Sequence, residues 1–295
     1  MIATVEVHDP VVPGASADPT VGAPPRRARA QVRIWVAALW LVGIVVAAAA
    51  ADVLPLARFE RPVGPPGLAP GLRWPEVLGT DNLGRSQLAR IVYGARISLG
   101  VGAASVTLGL LVGGVLGLLA GYFRGWVDLV CRLLVDTILA FPPLVLLLAI
   151  TAFRSQSAAT LIPALSVLSI PTFTRIARAN AMAFSSREFV LAAQALGAPA
   201  RRVIVRELLP NVVPPVASYT FIVVAAIMVA EGSVSFLGLG IPPPQPSWGG
   251  MIAAGRPLLA TRPELVFVPA AALLLTIWSL NTLGDLLQAR FGTRR

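Results

Sequence analysis

Lysine is absent from this 295-residue chain, and all 24 of its basic side chains are arginine. A phosphate-binding loop of the G-x-x-x-x-G-K-[ST] type, whose lysine reaches the phosphates, is therefore excluded. Any ATP-driven work must draw on another subunit, and the alternative energy source is an ion gradient. The chain holds a single histidine, His8, and a single cysteine, Cys131. No H-E-x-x-H, paired Cys-x-x-Cys or G-x-S-x-G motif occurs, so no catalytic residue and no metal ligand is assigned. One cysteine also rules out an intrachain disulfide, and Cys131 is expected to be a small packing residue in an apolar segment. Charge is scarce as well: 13% of residues are charged against 56% hydrophobic, with a mean hydropathy of +0.77. That balance is too apolar for a soluble domain of this length and places the chain in the membrane class.

What is present organises around long apolar runs. They cover roughly residues Ile34–Ala51, Ile97–Gly121, Leu129–Phe153, Ala158–Ile176, Val212–Ala230 and Leu265–Leu287, against the about 20 residues a helix needs to cross about 30 Å of hydrocarbon. An all-α membrane protein with six transmembrane helices is expected. The net charge of +10 invites a nucleic-acid partner, but the arginines are scattered between the runs and not gathered on one soluble face, so none is assigned. Arg26, Arg27, Arg29 and Arg33, then Arg124, the group from Arg175 to Arg206, and Arg290, Arg294 and Arg295 fall on one side if the N-terminus is cytosolic. The excess of arginine there favours cytosolic N- and C-termini. Residues 1–33, rich in Pro, Ala and Val, suit a disordered cytosolic tail. The 18 unbroken apolar residues at 34–51 exceed the core of a cleaved signal peptide and read as a retained first span. Residues 52–96 form an external loop, 97–287 the transmembrane domain and 288–295 a second cytosolic tail.

Several spans carry internal features. Ser105, Gly109, Gly113, Gly117 and Gly121 recur every four residues and give the second span a face with almost no side chain, which permits close helix packing. Pro142, Pro143, Pro163, Pro171, Pro214, Pro215 and Pro269 lie within other spans, where each removes a backbone donor and predicts a kink. Arg132 and Asp136 are four apart in the third span; that spacing lets them pair, and the same charges suit a translocation path. Glu231, at the outer end of the fifth span, has no partner nearby in sequence. It suits a cap or an outer gate.

The polar island Ser185–Asn211 separates the fourth and fifth spans. Ser185 and Glu188 have capping-box spacing, Gly197 suits a helix-ending left-handed turn, and Pro199, with φ near about −65°, suits the first turn of a second helix. Phe189, Ala192, Ala193 and Leu196 share one apolar face. The face would either receive another protein or lie on lipid headgroups, aided by Arg201, Arg202 and Arg206.

This island resembles the EAA loop of type I ABC transporter permeases, the cytosolic coupling helix region through which a membrane subunit contacts its ATPase. The resemblance rests on Ala192, Ala193, Gly197, Leu209 and Pro210; Leu191 stands in place of the family's glutamate, and Glu207 in place of its isoleucine. Glu188, one turn earlier, is the acid available to replace it. Two further stretches, GTDNLGRSQLARIVYGARISL at 79–99 and SFLGLGIPPPQPSWGG at 235–250, resemble the C-type membrane subunit of dipeptide and oligopeptide permeases. Nickel and other small-solute importers share that branch. The resemblance implies a heterodimer with a sister permease, two ATPase subunits that bind the ATP and magnesium, and an external solute-binding protein. On the outer side, residues 79–99 read as a short interfacial helix. Pro242 to Pro246 stiffen a loop that ends at Trp248, an interfacial anchor. Arg85, Trp248 and Arg256 are the residues assigned to binding-protein docking. An ion-coupled carrier, the main rival, would need more membrane-embedded ionisable groups than Arg132 and Asp136.

Overall fold

The computed structural model describes residues 26–71, 76–152 and 155–292, and His8 lies outside them. All regular structure among these residues is helical apart from two isolated β-bridges. Helix α1 spans Arg26–Ala49, α2 Gln87–Phe123, α3 Gly125–Ala140, α4 Pro143–Thr151, α5 Ala158–Ser185 and α6 Glu188–Ala195. A short α7 (Ala200–Arg202) runs through a π-helical turn into α8 (Leu209–Ser218), followed by α9 (Thr220–Phe236), α10 (Trp248–Gly255) and α11 (Glu264–Gly292). Four helices are long and apolar enough to cross a membrane singly, and two bent pairs bring the number of spans to six if each pair is one span. The predicted tails are shorter than expected, since α1 already begins at Arg26 and α11 continues to Gly292.

Helices α2 and α5 form the centre of the bundle, and the small-residue face explains why. Ser105, Gly109, Gly113, Gly117 and Gly121 are all buried. A Cβ on Gly113 would stand 2.5 Å from the Ile170 carbonyl oxygen, and one on Gly121 2.6 Å from Ala181 Cβ. The two backbones touch where side chains would otherwise hold them apart, which is how small-residue stripes gain dispersion energy in a membrane. Trp40 on α1 donates to Thr276 Oγ1 on α11 at 3.0 Å, tying the first span to the last.

The prolines divide into two groups. Phe141, Pro142 and Pro143 break the third span into α3 and α4, bent by 89°, and Pro214 and Pro215 precede a 48° bend between α8 and α9. Adjacent prolines remove two donors and crowd two carbonyls at once. The isolated Pro163, Pro171 and Pro269 stay inside continuous helices.

The segment before α2 corrects the interfacial-helix assignment. Helix α2 starts at Gln87, capped by Ser86, and runs unbroken through the second span, so residues 87–99 are its first turns. Arg85 and Arg90 are buried against one shared carboxylate, Asp81: Arg85 Nε donates to Asp81 Oδ2 at 2.7 Å and Arg90 Nε lies 3.5 Å from the same atom. Asp81 Oδ1 also accepts from the Leu83 and Arg85 amides, at 2.8 and 2.9 Å. Arg96 caps the end of α1 through the Ala48 carbonyl at 3.0 Å, where a cation meets the negative pole of the helix. It also donates to Asp52 at 2.9 Å. That bond, followed by one from Tyr93, holds the exposed Asp52 carboxyl below its ordinary range.

Arg85 is therefore a folding residue of the segment before α2. Reversing its charge (Arg85→Glu) should leave Asp81 and the new carboxylate facing each other out of water, a loss on the order of 3–5 kcal/mol for a broken buried pair. Arg256 is exposed above the Phe236 ring at 5.1 Å, and Arg256→Glu should leave the yield of folded protein close to that of the parent. Thermal denaturation of the two purified variants in detergent checks the contrast.

Candidate functional site

At one end of the bundle, α5 turns through Ser186 and Arg187 into α6. The expected capping box does not form. Ser185 is still the last residue of α5, its Oγ donating to the Met182 carbonyl at 2.9 Å, and Arg187 is the N-cap of α6 without a side-chain bond. Glu188 is consequently the first residue of α6 instead of the third, exposed and placed well for the positive pole of the helix.

The other end of α6 is closed as predicted. Gly197 has φ +76°, its amide bonds the Gln194 carbonyl at 2.9 Å, and the Ala198 amide bonds the Ala193 carbonyl at 3.0 Å. This pair of bonds is a Schellman motif. Pro199, extended at ψ 152°, is the N-cap of α7 and not a first-turn residue. The second island helix is also not separate: α7 continues through the π-helical turn Val203–Leu208 into α8, so it is the base of the fifth span. Leu209 and Pro210 lie exposed where α8 begins.

Val190, Val203 and Leu208 are fully buried and anchor the island on the bundle. Phe189, Leu191, Ala192 and Leu196 then face outward, Leu196 at 89% exposure, while Ala193 is half-buried. Leu191, two residues from Phe189, is exposed on a different side of α6 from the apolar face that the sequence drew through Phe189, Ala192, Ala193 and Leu196. Beside it opens a pocket of about 570 Å³, lined by Tyr122, Phe123, Arg124, Ser185, Leu191 and Gln194. Arg124, which joins α2 to α3 with φ 53°, donates to Ser185 Oγ at 3.3 Å and sets the floor of that pocket.

A polar seam runs between α3 and α5. Arg132 and Asp136 do not pair with each other; Arg132 Nε turns back to Asp128 Oδ2 at 3.3 Å, and Asp136 Oδ1 accepts from Arg175 Nη2 at 3.1 Å. Helix α5 supplies the competing cations, and Arg178 grips Asp128 with both arms of its guanidinium. Asp128, Arg175 and Arg178 join the seam beyond the residues that the sequence singles out, although Asp128, Arg132 and Asp136 form an i, i+4, i+8 stripe. Cys131 is buried beside this seam, its Sγ 3.7 Å from the Leu116 carbonyl.

At the opposite end, Glu231 does have local partners. It lies buried within α9, accepting from Ser235 Oγ at 2.8 Å and Ser98 Oγ of α2 at 3.4 Å. Trp248 is fully buried and so is no interfacial anchor: its indole donates to the Ile91 carbonyl at 3.0 Å and its amide to Ser98 Oγ at 3.1 Å. Gly94 leaves room for the indole ring.

Residues 113–295 match the family described as the binding-protein-dependent transport system inner membrane component. The chain is 36% identical over 208 residues to the glutathione transport system permease protein GsiD of Pectobacterium atrosepticum, covering 70% of this chain and 69% of that one. It is 35% identical over 207 residues to the dipeptide transport system permease protein DppC of Alkalihalophilus pseudofirmus, covering 70% and 68%. Against GsiD of Escherichia coli it is 34% identical over 260 residues, covering 88% and 86%. Among solved structures, a chain of the inward-facing MetNI methionine ABC transporter shares the fold with a TM-score of 0.57 at 16% identity, covering 68% of this chain and 96% of that one.

Proposed function

Because the chain belongs to the family of binding-protein-dependent transport system inner membrane components, we propose that it forms half of the translocation path of an ATP-driven importer for dipeptides or short oligopeptides. It is a multi-pass inner-membrane permease subunit of a type I ABC importer, and such permeases work with ATPase and binding-protein components. In the proposed complex a sister permease supplies the other half of the path, two ATPase subunits bind ATP and magnesium, and an external protein delivers the solute. The α6 end is cytosolic.

The observation that carries the coupling role is the projection of α6. Helix α5 has 28 residues, about 42 Å at 1.5 Å per residue, so it outreaches about 30 Å of hydrocarbon and holds α6 beyond the membrane surface. An apolar face presented there, with Phe189, Ala192 and Leu196 outward and Leu191 exposed on the pocket side, suits protein better than lipid. Glu188, Gly197, Pro199, Leu209 and Pro210 complete the surface. The Leu191 position gives it an apolar contact where related loops carry an acid, and Glu188 supplies the charge.

Mild-detergent purification of a tagged chain from its own cells tests this reading. Co-isolation of a second permease and of Walker-motif ATPases, followed by dipeptide-stimulated ATP hydrolysis in liposomes with the binding protein, is the expected result. Stimulation by nickel with none by dialanine would overturn the peptide assignment, and a chain isolated without ATPases would overturn the complex.

A further inference from the structure

The α3–α5 seam is closed at one end and open further in. At the α6 end Asp128 and Arg178 are packed, with side chains 12% and 27% exposed, whereas Asp136 and Arg175 are 65% and 60% exposed although bonded to each other. Asp136 is the twelfth residue of α3, about 16 Å along it. On that helix the exposed Leu129, Leu133 and Leu139, with Phe141 just past its end, bracket it on both sides. The pair therefore sits inside an apolar belt without cover from its own chain. Ionised groups at such a position face water or protein, because exposure to hydrocarbon costs several kcal/mol. Arg132, half-exposed beside Asp136, leaves two guanidiniums and one carboxylate on this open stretch.

We propose that Arg132, Asp136 and Arg175 form a water-facing site in the translocation path that takes the two charged ends of a short peptide in transit. Asp136 receives the ammonium end, and Arg132 or Arg175 the carboxylate. Side chains at i and i+4 stand about 5–6 Å apart, and two extended residues span about 7 Å, so a dipeptide fits the Arg132–Asp136 spacing. When the path is empty the groups are held by their present pairs, Asp136 with Arg175 and Arg132 with Asp128. A zwitterion then exchanges one pair for two with little change in net charge. The site rests on the peptide reading above.

The test uses the reconstituted complex with Cys131→Ser as background and Thr172→Cys as reporter, since Thr172 is exposed three residues before Arg175 on α5. A membrane-impermeant, negatively charged maleimide should label this cysteine. Dialanine at ten times its dissociation constant should slow labelling by about tenfold, following 1 + [L]/Kd, and N-acetyl-dialanine amide should not. Protection should disappear in Asp136→Asn, which keeps side-chain shape, and in Arg175→Gln, which removes the charge on a shorter side chain. Absence of labelling would overturn the water-facing position, and equal protection by the capped peptide would overturn the zwitterion site. Dialanine uptake by the parent complex is measured in parallel. No uptake overturns the peptide reading and the site with it; uptake without protection overturns the site alone.

Discussion

Replacing Gly117 by valine is expected to abolish accumulation of the folded permease. The Cβ of any residue there would collide with the Thr174 carbonyl oxygen and stand 2.8 Å from both Ala177 Cβ and the Arg178 amide nitrogen. These are largely backbone atoms of α5 and cannot rotate away, so α2 and α5 must separate. Overpacking a core by a methylene or two costs about 1–3 kcal/mol when side chains can adjust, and here they cannot. Separation also opens the contact that Gly109, Gly113 and Gly121 make above and below. The same displacement would shift Arg178 away from Asp128 and loosen the seam to α3. Gly114, three residues before Gly117, has nothing within 4 Å of an added Cβ. Gly114→Ala should therefore be neutral or slightly stabilising, because glycine costs about 1 kcal/mol against alanine in a helix. Fluorescence-detected size-exclusion chromatography of tagged variants reads both. A monodisperse Gly117→Val peak at parental height would mean that the small-residue face does not set the packing.

That face was legible in the sequence because its information is periodic and needs no partner to be recognised. Gly197 was legible for a similar reason: an isolated glycine after an apolar helical face has few uses other than a left-handed end. Long-range polar pairing was not legible. Nothing near Asp136 in sequence announces Arg175, 39 residues on, and the i, i+4 neighbour Arg132 is a plausible partner until α5 is in place. Trp248 was misplaced for the same cause, since the acceptor that lets an indole be buried is the Ile91 carbonyl, 157 residues away. Arg85 differs. Its partner Asp81 lies four residues earlier, and that spacing already carried the buried pair. The capping box failed through a shift of register, because α5 keeps Ser185 and a box requires the acid at the third helical position.

Valine at Gly197 should leave the chain inserted and ATP hydrolysis active while solute uptake falls by tenfold or more. An added Cβ meets nothing within 4 Å there, so the effect does not come from a clash. It comes from φ +76°, where an ordinary residue pays about 1–2 kcal/mol and a β-branched one more. The strain is relieved by breaking the two bonds of the Schellman turn, Gly197 to Gln194 and Ala198 to Ala193. Those bonds fix the angle between α6 and α7. Helix α7 is continuous with α8, the 48° bend leads into α9, and α9 carries Glu231 bonded to Ser98 of α2 at the far end. In the proposed complex a rigid elbow at Gly197 would link a docked ATPase to the opposite end of the bundle, and a softened elbow would let α6 move with the ATPase while the spans stay still. Gly197→Asn, which tolerates the left-handed region, should retain most uptake, and Gly197→Ala should fall between the two. Uptake and ATP hydrolysis measured in the same proteoliposomes give the ratio that decides. A parental ratio in Gly197→Val would remove α6 from the coupling path, and loss of hydrolysis together with uptake would make the turn a docking element instead of a transmission.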